Sequence, residues 1–424
     1  MRPEKIMITD GVELNYLRLD KFKVNSISVD FFLPLTEETA AANTLLAKVL
    51  RRGTEKHPTK KEISKYLSSL YGADFSVVTS GDALNHFTSF SAMTLRSDFT
   101  DGMNVDTEIL SLIKEMIFTP CREDGKLSEK YIEGERKNLI DRIRARKNDK
   151  DSYSQSRCLE ILYGTQRKVI PVYGREETVA AVTEADLEAA LERLVKNAYV
   201  VVYYIGSTAK EEIISSVSDM FAGVGRQPCA IGKTEPFIHK DKPFSTVEKM
   251  DVEQCKLCVA LTSGINKKSA EYPAYRLFLN VLGYSNIAKL FMNVREKMSL
   301  CYYVYPSQFS NGVCVIMAGI DGKDAKKAKK AILKEISDCQ KGKISEEELS
   351  ASKQYIIDGT KNDSDSPLFY KKWYYSEVFF GPTLTPEEYA DAVGKCTLDD
   401  VVAAANKVKE AHTFLLSGED EENV

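Results

Sequence analysis

The pattern of apolar and polar positions along the chain predicts alternating strands and amphipathic helices. Residues 12–34 read as two strands around a turn, V-E-L-N-Y-L-R-L and S-I-S-V-D-F-F-L. A helix is predicted from Glu37 to Arg52, stopped by Gly53; another opens at Pro58-Thr59, runs through Leu70 and ends at Tyr71-Gly72. Alternation then predicts strands over 74–79 and 86–94. Helical spacing follows at 103–117, 127–148, 152–164, 183–195 and 208–222, with the apolar strand Y-V-V-V-Y-Y-I at 199–205. Residues 224–244 hold Gly, Pro and Lys without periodicity and read as a linker, and the acidic end Glu419-Asp-Glu-Glu422 reads as a frayed tail.

The second half repeats the first. Gly125-Lys-Leu-Ser-Glu129 recurs as Gly342-Lys-Ile-Ser-Glu346, and Leu139-Ile-Asp141 recurs as Ile356-Ile-Asp358, both at an offset of 217 (342 − 125 and 358 − 141). Glu160 and Gly164 match Glu377 and Gly381 at that same offset. Thr183-Glu-Ala-Asp186 then corresponds to Thr397-Leu-Asp-Asp400, and the strand 199–205 to Thr413–Ser417. A constant register at this spacing is too long for a solenoid and implies a duplicated domain. The expected architecture is α+β: two homologous tandem domains, 1–223 and 245–424, joined by the linker 224–244. Each would be a mostly antiparallel sheet packed with long helices, the two enclosing a cleft.

Composition narrows the function classes. At 424 residues and 43% hydrophobic, with 58 basic and 62 acidic side chains interspersed, the chain has no polyanion-binding signature, so no nucleic-acid partner is expected. The lysines around Lys326 to Lys330 read as a solvated helix face. No apolar run reaches the roughly 20 residues of a membrane span, and no signal-peptide segment opens the chain, so a cytoplasmic location is expected. Nine irregularly spaced cysteines fit reduced thiols there. Cys255-Lys-Leu-Cys258 lies in a predicted strand that would send its two thiols to opposite faces, with no second pair to complete a zinc site.

The stretch Gly283 to Pro306 is the most informative. An amphipathic helix marked by Ile287, Leu290, Phe291 and Val294 is predicted to stop at Met298-Ser299, and an aromatic strand to run from Leu300 to Tyr305. Arg295 falls in the last helical turn and Tyr302 on the strand. A guanidinium and a phenol at one helix–strand junction can both donate to a peptide carbonyl. On residue types alone, Arg295 could equally cap its own helix and Tyr302 be core.

These residues carry a resemblance. L-F-x-x-V-R-E-K-x-x-L-x-Y resembles the second-domain signature of the insulinase-like zinc peptidases, the family of pitrilysin and mitochondrial processing peptidase, whose members are built from tandem copies of one domain. The passage 162–187 and Gly53-Thr54 fit it as well. The resemblance implies that Arg295 and Tyr302 bind the backbone of an extended peptide substrate. It also implies zinc held by His-x-x-Glu-His on the helix ending at Gly53-Thr54, with a third ligand on the helix after Glu135-Arg136.

Here the chain departs from the pattern. The three motif positions hold Thr44, Ala47 and Lys48, and the third ligand falls on Arg142, or on Asp141 after a one-residue slip. Hydroxyl, methyl, ammonium and guanidinium groups do not retain Zn²⁺. The four histidines, His57, His86, His239 and His412, are too far apart in sequence to supply a displaced helical pair. There is no Gly-x-Ser-x-Gly elbow, no phosphate-cradling loop and no cysteine in a signature context.

The chain is therefore expected not to cleave peptides alone and to carry no cofactor. Within the family it resembles members that lack the zinc motif and accompany an active one. The resemblance implies a zinc-containing homologous subunit as partner, with Arg295 and Tyr302 completing the substrate grip of a heteromeric peptidase. A homodimer is left open. The alternative is a structural or peptide-binding scaffold without a protease role.

Overall fold

The computed structural model describes residues 1–418; the acidic tail at 419–422 lies outside the described residues. The first half contains strands β1 (Glu4–Thr9), β2 (Val12–Arg18), β3 (Val24–Pro34), β4 (Asp74–Gly81), β5 (Asn85–Leu95) and β6 (Tyr199–Gly206). Its long helices are α1 (Glu37–Leu50), α2 (Lys60–Ser69), α3 (Val105–Phe118), α4 (Glu129–Ala145), α5 (Lys150–Gly164), α6 (Glu184–Lys196) and α7 (Lys210–Met220). The second half contains β7 (Phe244–Lys249), β8 (Cys255–Thr262), α8 (Tyr272–Leu279), β9 (Tyr303–Gln308), β10 (Val313–Ile320), α9 (Ala325–Gln340), α10 (Glu346–Asp363), α11 (Pro367–Tyr375), α12 (Pro386–Lys395), α13 (Leu398–Asn406) and β11 (Lys409–Ser417). Three of these strands, β1, β7 and β10, were not anticipated; only one face of β1 and β7 is even partly buried, so their apolar alternation is weak, whereas β10 is buried at every position and shows no alternation.

The duplication is visible strand for strand. The first sheet has the order β1-β2-β6-β3-β5-β4 and the second β7-β11-β8-β10-β9, so β1 is the one strand without a counterpart. β2 pairs with β6 in parallel, as β7 does with β11, and the remaining neighbours are antiparallel. The 217-residue offset fixes local geometry too: α4 and α10 start at Glu129 and Glu346, preceded by Gly125 and Gly342 at φ +80° and +74°. Only glycine enters that left-handed turn at no steric cost, which is why the same residue recurs there. Thr183 and Thr397 cap α6 and α13 identically, each exchanging hydrogen bonds with Asp186 or Asp400.

The compact units differ from the contiguous division 1–223 and 245–424. Unit 1 comprises Met1–Ala145, Ile170–Lys233 and Ser364–Phe379; unit 2 comprises Arg146–Val169, Thr234–Asp363 and the chain from Phe380. Thus α5, from the first repeat, packs in unit 2, and its counterpart α11, starting 217 residues later (367 − 150), packs in unit 1. Sheet burial gives the reason. β3, β6, β8, β10 and β11 are buried at nearly every position, so each central sheet needs a cover on both faces.

In unit 1 one face packs α1, α3, α6 and α7 around Val29, Phe31, Phe90 and Val202. The other face is covered by α11, whose Tyr375 lies against Phe32, Phe87 and Tyr203 with ring centroids 6.0, 5.6 and 6.1 Å apart. In unit 2, Cys158 and Leu162 of α5 join Cys258, Val315, Met317 and Phe414 in one apolar cluster. Asp151 at the start of α5 pairs with the buried Lys256 at 3.2 Å and accepts a hydrogen bond from Tyr303.

The predicted linker also divides. Gln227 and Cys229 bond to the backbone of Lys196 and Asn197 in unit 1, whereas Phe237 bonds to Asn311 in unit 2. No disulfide forms among the nine cysteines. No helix of the described residues is long and apolar enough to cross a membrane.

Candidate functional site

The first candidate region is α1, where the metal motif would lie. Thr44 and Ala47 are buried, and Lys48 is half-buried. Thr44 Oγ1 donates to the Val172 carbonyl at 2.9 Å. That uses its one proton, so His86 Nε2, 3.0 Å away, is the donor to Thr44. His86 comes from β5, opposite Gly81 at the end of β4. Burial pushes its pKa down to about 4, outweighing the Val172 carbonyl that favours the charged ring. The neutral imidazole is thus bound to a hydroxyl, and its proximity to Thr44 arises from sheet pairing, which sequence spacing does not reveal.

Lys48 carries the opposite signal. Burial is the main cause lowering its pKa, the Arg142 charge adds to this, Glu135 opposes it and Arg51 reinforces it. Glu135 is nonetheless engaged by Arg52 through both Nε and Nη2. Arg142, on α4, lies over the Tyr173 ring at 5.3 Å and forms no ion pair among the described residues. Thr44, Ala47, Lys48 and Arg142 together offer two cations and no anionic donor, so they do not fit zinc. No cluster of three or more His, Cys, Asp or Glu side chains suited to a metal ion occurs among the described residues.

The second candidate region is the segment ending at β9. The predicted helix is not one regular element. α8 continues into a π-wound turn, Asn280–Tyr284, and a second π-wound segment spans Leu290–Lys297. Met298 N–H reaches back to the Asn293 carbonyl at 3.1 Å, and Leu300 N–H to Val294 at 3.1 Å. Ser299, at φ +50°, makes that closure by entering the left-handed region. Leu290 and Val294 are buried as expected, but Ile287 is exposed.

The strand starts at Tyr303, later than the predicted Leu300, although Tyr302 N–H still donates to the Gly319 carbonyl at 2.8 Å. Tyr302 is 58% exposed, so it is not core. Its hydroxyl donates to Asp321 at 3.1 Å, an interaction that raises its pKa. Arg295 lies in the last turn, with its guanidinium over Phe291 at 4.7 Å and Nε 3.7 Å from Glu296. The stretch also exposes Ile287, Met292, Met298 and Tyr305, a run of apolar side chains unusual for a solvated surface.

A duplicated five- or six-stranded unit, with a covering helix contributed by the other repeat, defines a two-domain α+β fold. Residues 181–356 match the family model described as Peptidase M16 inactive domain. Over 410 residues the chain is 25% identical to the "Probable inactive metalloprotease YmfF" of Bacillus subtilis (strain 168), covering 96% of each chain. It is 23% identical over 251 residues to that organism's "Uncharacterized zinc protease YmxG", covering 58% of this chain and 59% of the relative.

Two solved structures share the fold over their whole length. A conserved protein from Enterococcus faecalis V583 superposes with a TM-score of 0.89 at 24% identity, both chains covered completely. A peptidase M16 inactive domain from Pseudomonas fluorescens gives 0.80 at 16% identity, again with complete coverage. The chain is thus similar to the M16, insulinase-like peptidases, through a family model over residues 181–356 and, over nearly its whole length, to the inactive-type relative YmfF.

Proposed function

We propose that this chain is the non-catalytic subunit of a heteromeric M16 peptidase, pairing with a zinc-containing homologue and binding extended peptide through Arg295 and Tyr302. The observation that carries the reading is an asymmetry. The positions that the resemblance assigns to metal, Thr44, Ala47, Lys48 and Arg142, hold no metal-binding side chain, whereas the half-buried Arg295 and the exposed Tyr302 lie among exposed methionines and aromatics. Flexible methionines and rigid aromatic rings suit a surface that accepts varied peptide side chains. β4 supports peptide binding independently: it is an edge strand of eight residues with no lysine or proline to block strand addition.

On this reading zinc belongs to the partner alone, and the nine free thiols fit a reducing, cytoplasmic setting. A scaffold role is favoured by one observation, that Arg295 and Tyr302 each already have a local partner in Phe291 and Asp321. Mixing separates the two readings. The zinc-containing homologue from the same genome should cleave a peptide library faster when this chain is added, and Arg295→Ala or Tyr302→Ala here should remove most of the gain. Equal rates with and without this chain would leave the scaffold reading.

A further inference from the structure

Three lysines withdrawn from solvent are matched to carboxylates, whereas the half-buried Lys48 is not. Lys256 pairs with Asp151 at 3.2 Å, Lys289 with Glu348 at 2.8 Å and Lys371 with Asp30 at 3.6 Å. Lys48 has no carboxylate within ion-pair distance among the described residues, although it is half-buried. The charged groups that act on it are Arg142, Glu135 and Arg51, and Glu135 is already engaged by Arg52. Arg142 and Arg51 are likewise without an ion pair among the described residues. Like charges gathered on neighbouring helix faces cost stability unless an anion joins them.

We propose that Lys48 and Arg142 form a carboxylate-binding site on the α1–α4 face, where relatives with the full motif would carry a cation. The chemistry fits a carboxylate. Arg142 presents a planar fork backed by the Tyr173 ring, the arrangement for bidentate recognition, and Lys48 adds a point charge from a partly dehydrated position. Access is open, because Arg142 is exposed and Tyr173 half-buried. Thr44, one turn before Lys48, bonds His86, which faces the end of the open-edged β4. A peptide added along β4 would therefore run towards this site, and its acidic side chain or its C-terminal carboxylate is the ligand. This inference rests on the missing counter-ion of Lys48 and is independent of Arg295 and Tyr302.

The single tryptophan, Trp373, lies in the same compact unit as Lys48 and reports its unfolding. The full chain is unfolded in urea at constant ionic strength with acetate, inorganic phosphate or chloride, and with Ac-Ala-Glu-Ala-NH2, Ac-Ala-Gln-Ala-OH or Ac-Ala-Gln-Ala-NH2. Acetate and the two anionic tripeptides should raise the Trp373 midpoint over chloride, and the stronger tripeptide identifies side chain or C-terminus as the source. Lys48→Gln and Arg142→Gln, the latter an exposed position, should each weaken the effect roughly tenfold. Lys48→Arg should restore it. Equal shifts in wild type and both Gln variants, a shift from the neutral tripeptide, or a shift from phosphate without one from acetate would each overturn the proposal.

Discussion

Acidification should destabilise unit 1 through His86, and the size of the effect follows from the structure. The ring is buried, donates to Thr44 from Nε2, and has its pKa depressed from 6.5 to about 4. A histidine with a lowered folded-state pKa binds its proton more readily when the chain is unfolded. Its contribution is therefore neutral above pH 6.5, and stability is lost progressively as pH falls towards 4. Across that gap the loss approaches about 3 kcal/mol, at 1.36 kcal/mol per unit.

Urea unfolding followed by Trp373 fluorescence at pH 7 and pH 4.5 measures it, with His86→Gln as the reference. The amide of the variant can keep a hydrogen bond to Thr44 but does not titrate. Wild type should lose roughly 2–3 kcal/mol more than the variant between the two pH values. Parallel losses in both proteins would refute a neutral, buried His86. So would a wild type that gains stability on acidification.

Two further predictions concern the scaffold. Asp106 is buried and accepts from Asn25 Nδ2 at 2.7 Å, Tyr204 OH at 3.0 Å, Thr208 Oγ1 at 2.6 Å and Thr94 Oγ1. Asp106→Ala leaves four donors without an acceptor and should cost about 4 kcal/mol or more, read as a lower Trp373 midpoint in urea. Thr183→Ala and Thr397→Ala remove equivalent caps and should each cost about 1 kcal/mol. The first should lower the Trp373 midpoint; the second should be seen in far-ultraviolet circular dichroism while leaving that midpoint unchanged, because Thr397 belongs to unit 2.

Much of the repeat was legible because its signals are local. Thr59, Thr183 and Thr397 cap helices through side chains three residues away, and Gly125 and Gly342 are demanded by the φ of one turn. The residue types at the positions that the resemblance assigns to metal, Thr44, Ala47, Lys48 and Arg142, are likewise read from the sequence itself. The irregular winding at 280–297 was not. Its apolar positions fit a helix, but the chain closes through i→i−5 and i→i−6 hydrogen bonds that such periodicity does not distinguish from an α-helix.

By itself the sequence determined two copies of one α+β unit and their caps and turns, because each depends on residues within a few positions of one another. Only the tertiary structure decided that α5 and α11 pack outside their own repeats, that His86 meets Thr44, and that Lys48 and Arg142 stand without a counter-ion among the described residues. Those outcomes depend on which sheet face needs covering and which side chains long-range strand pairing brings together, and neither is written in the local pattern.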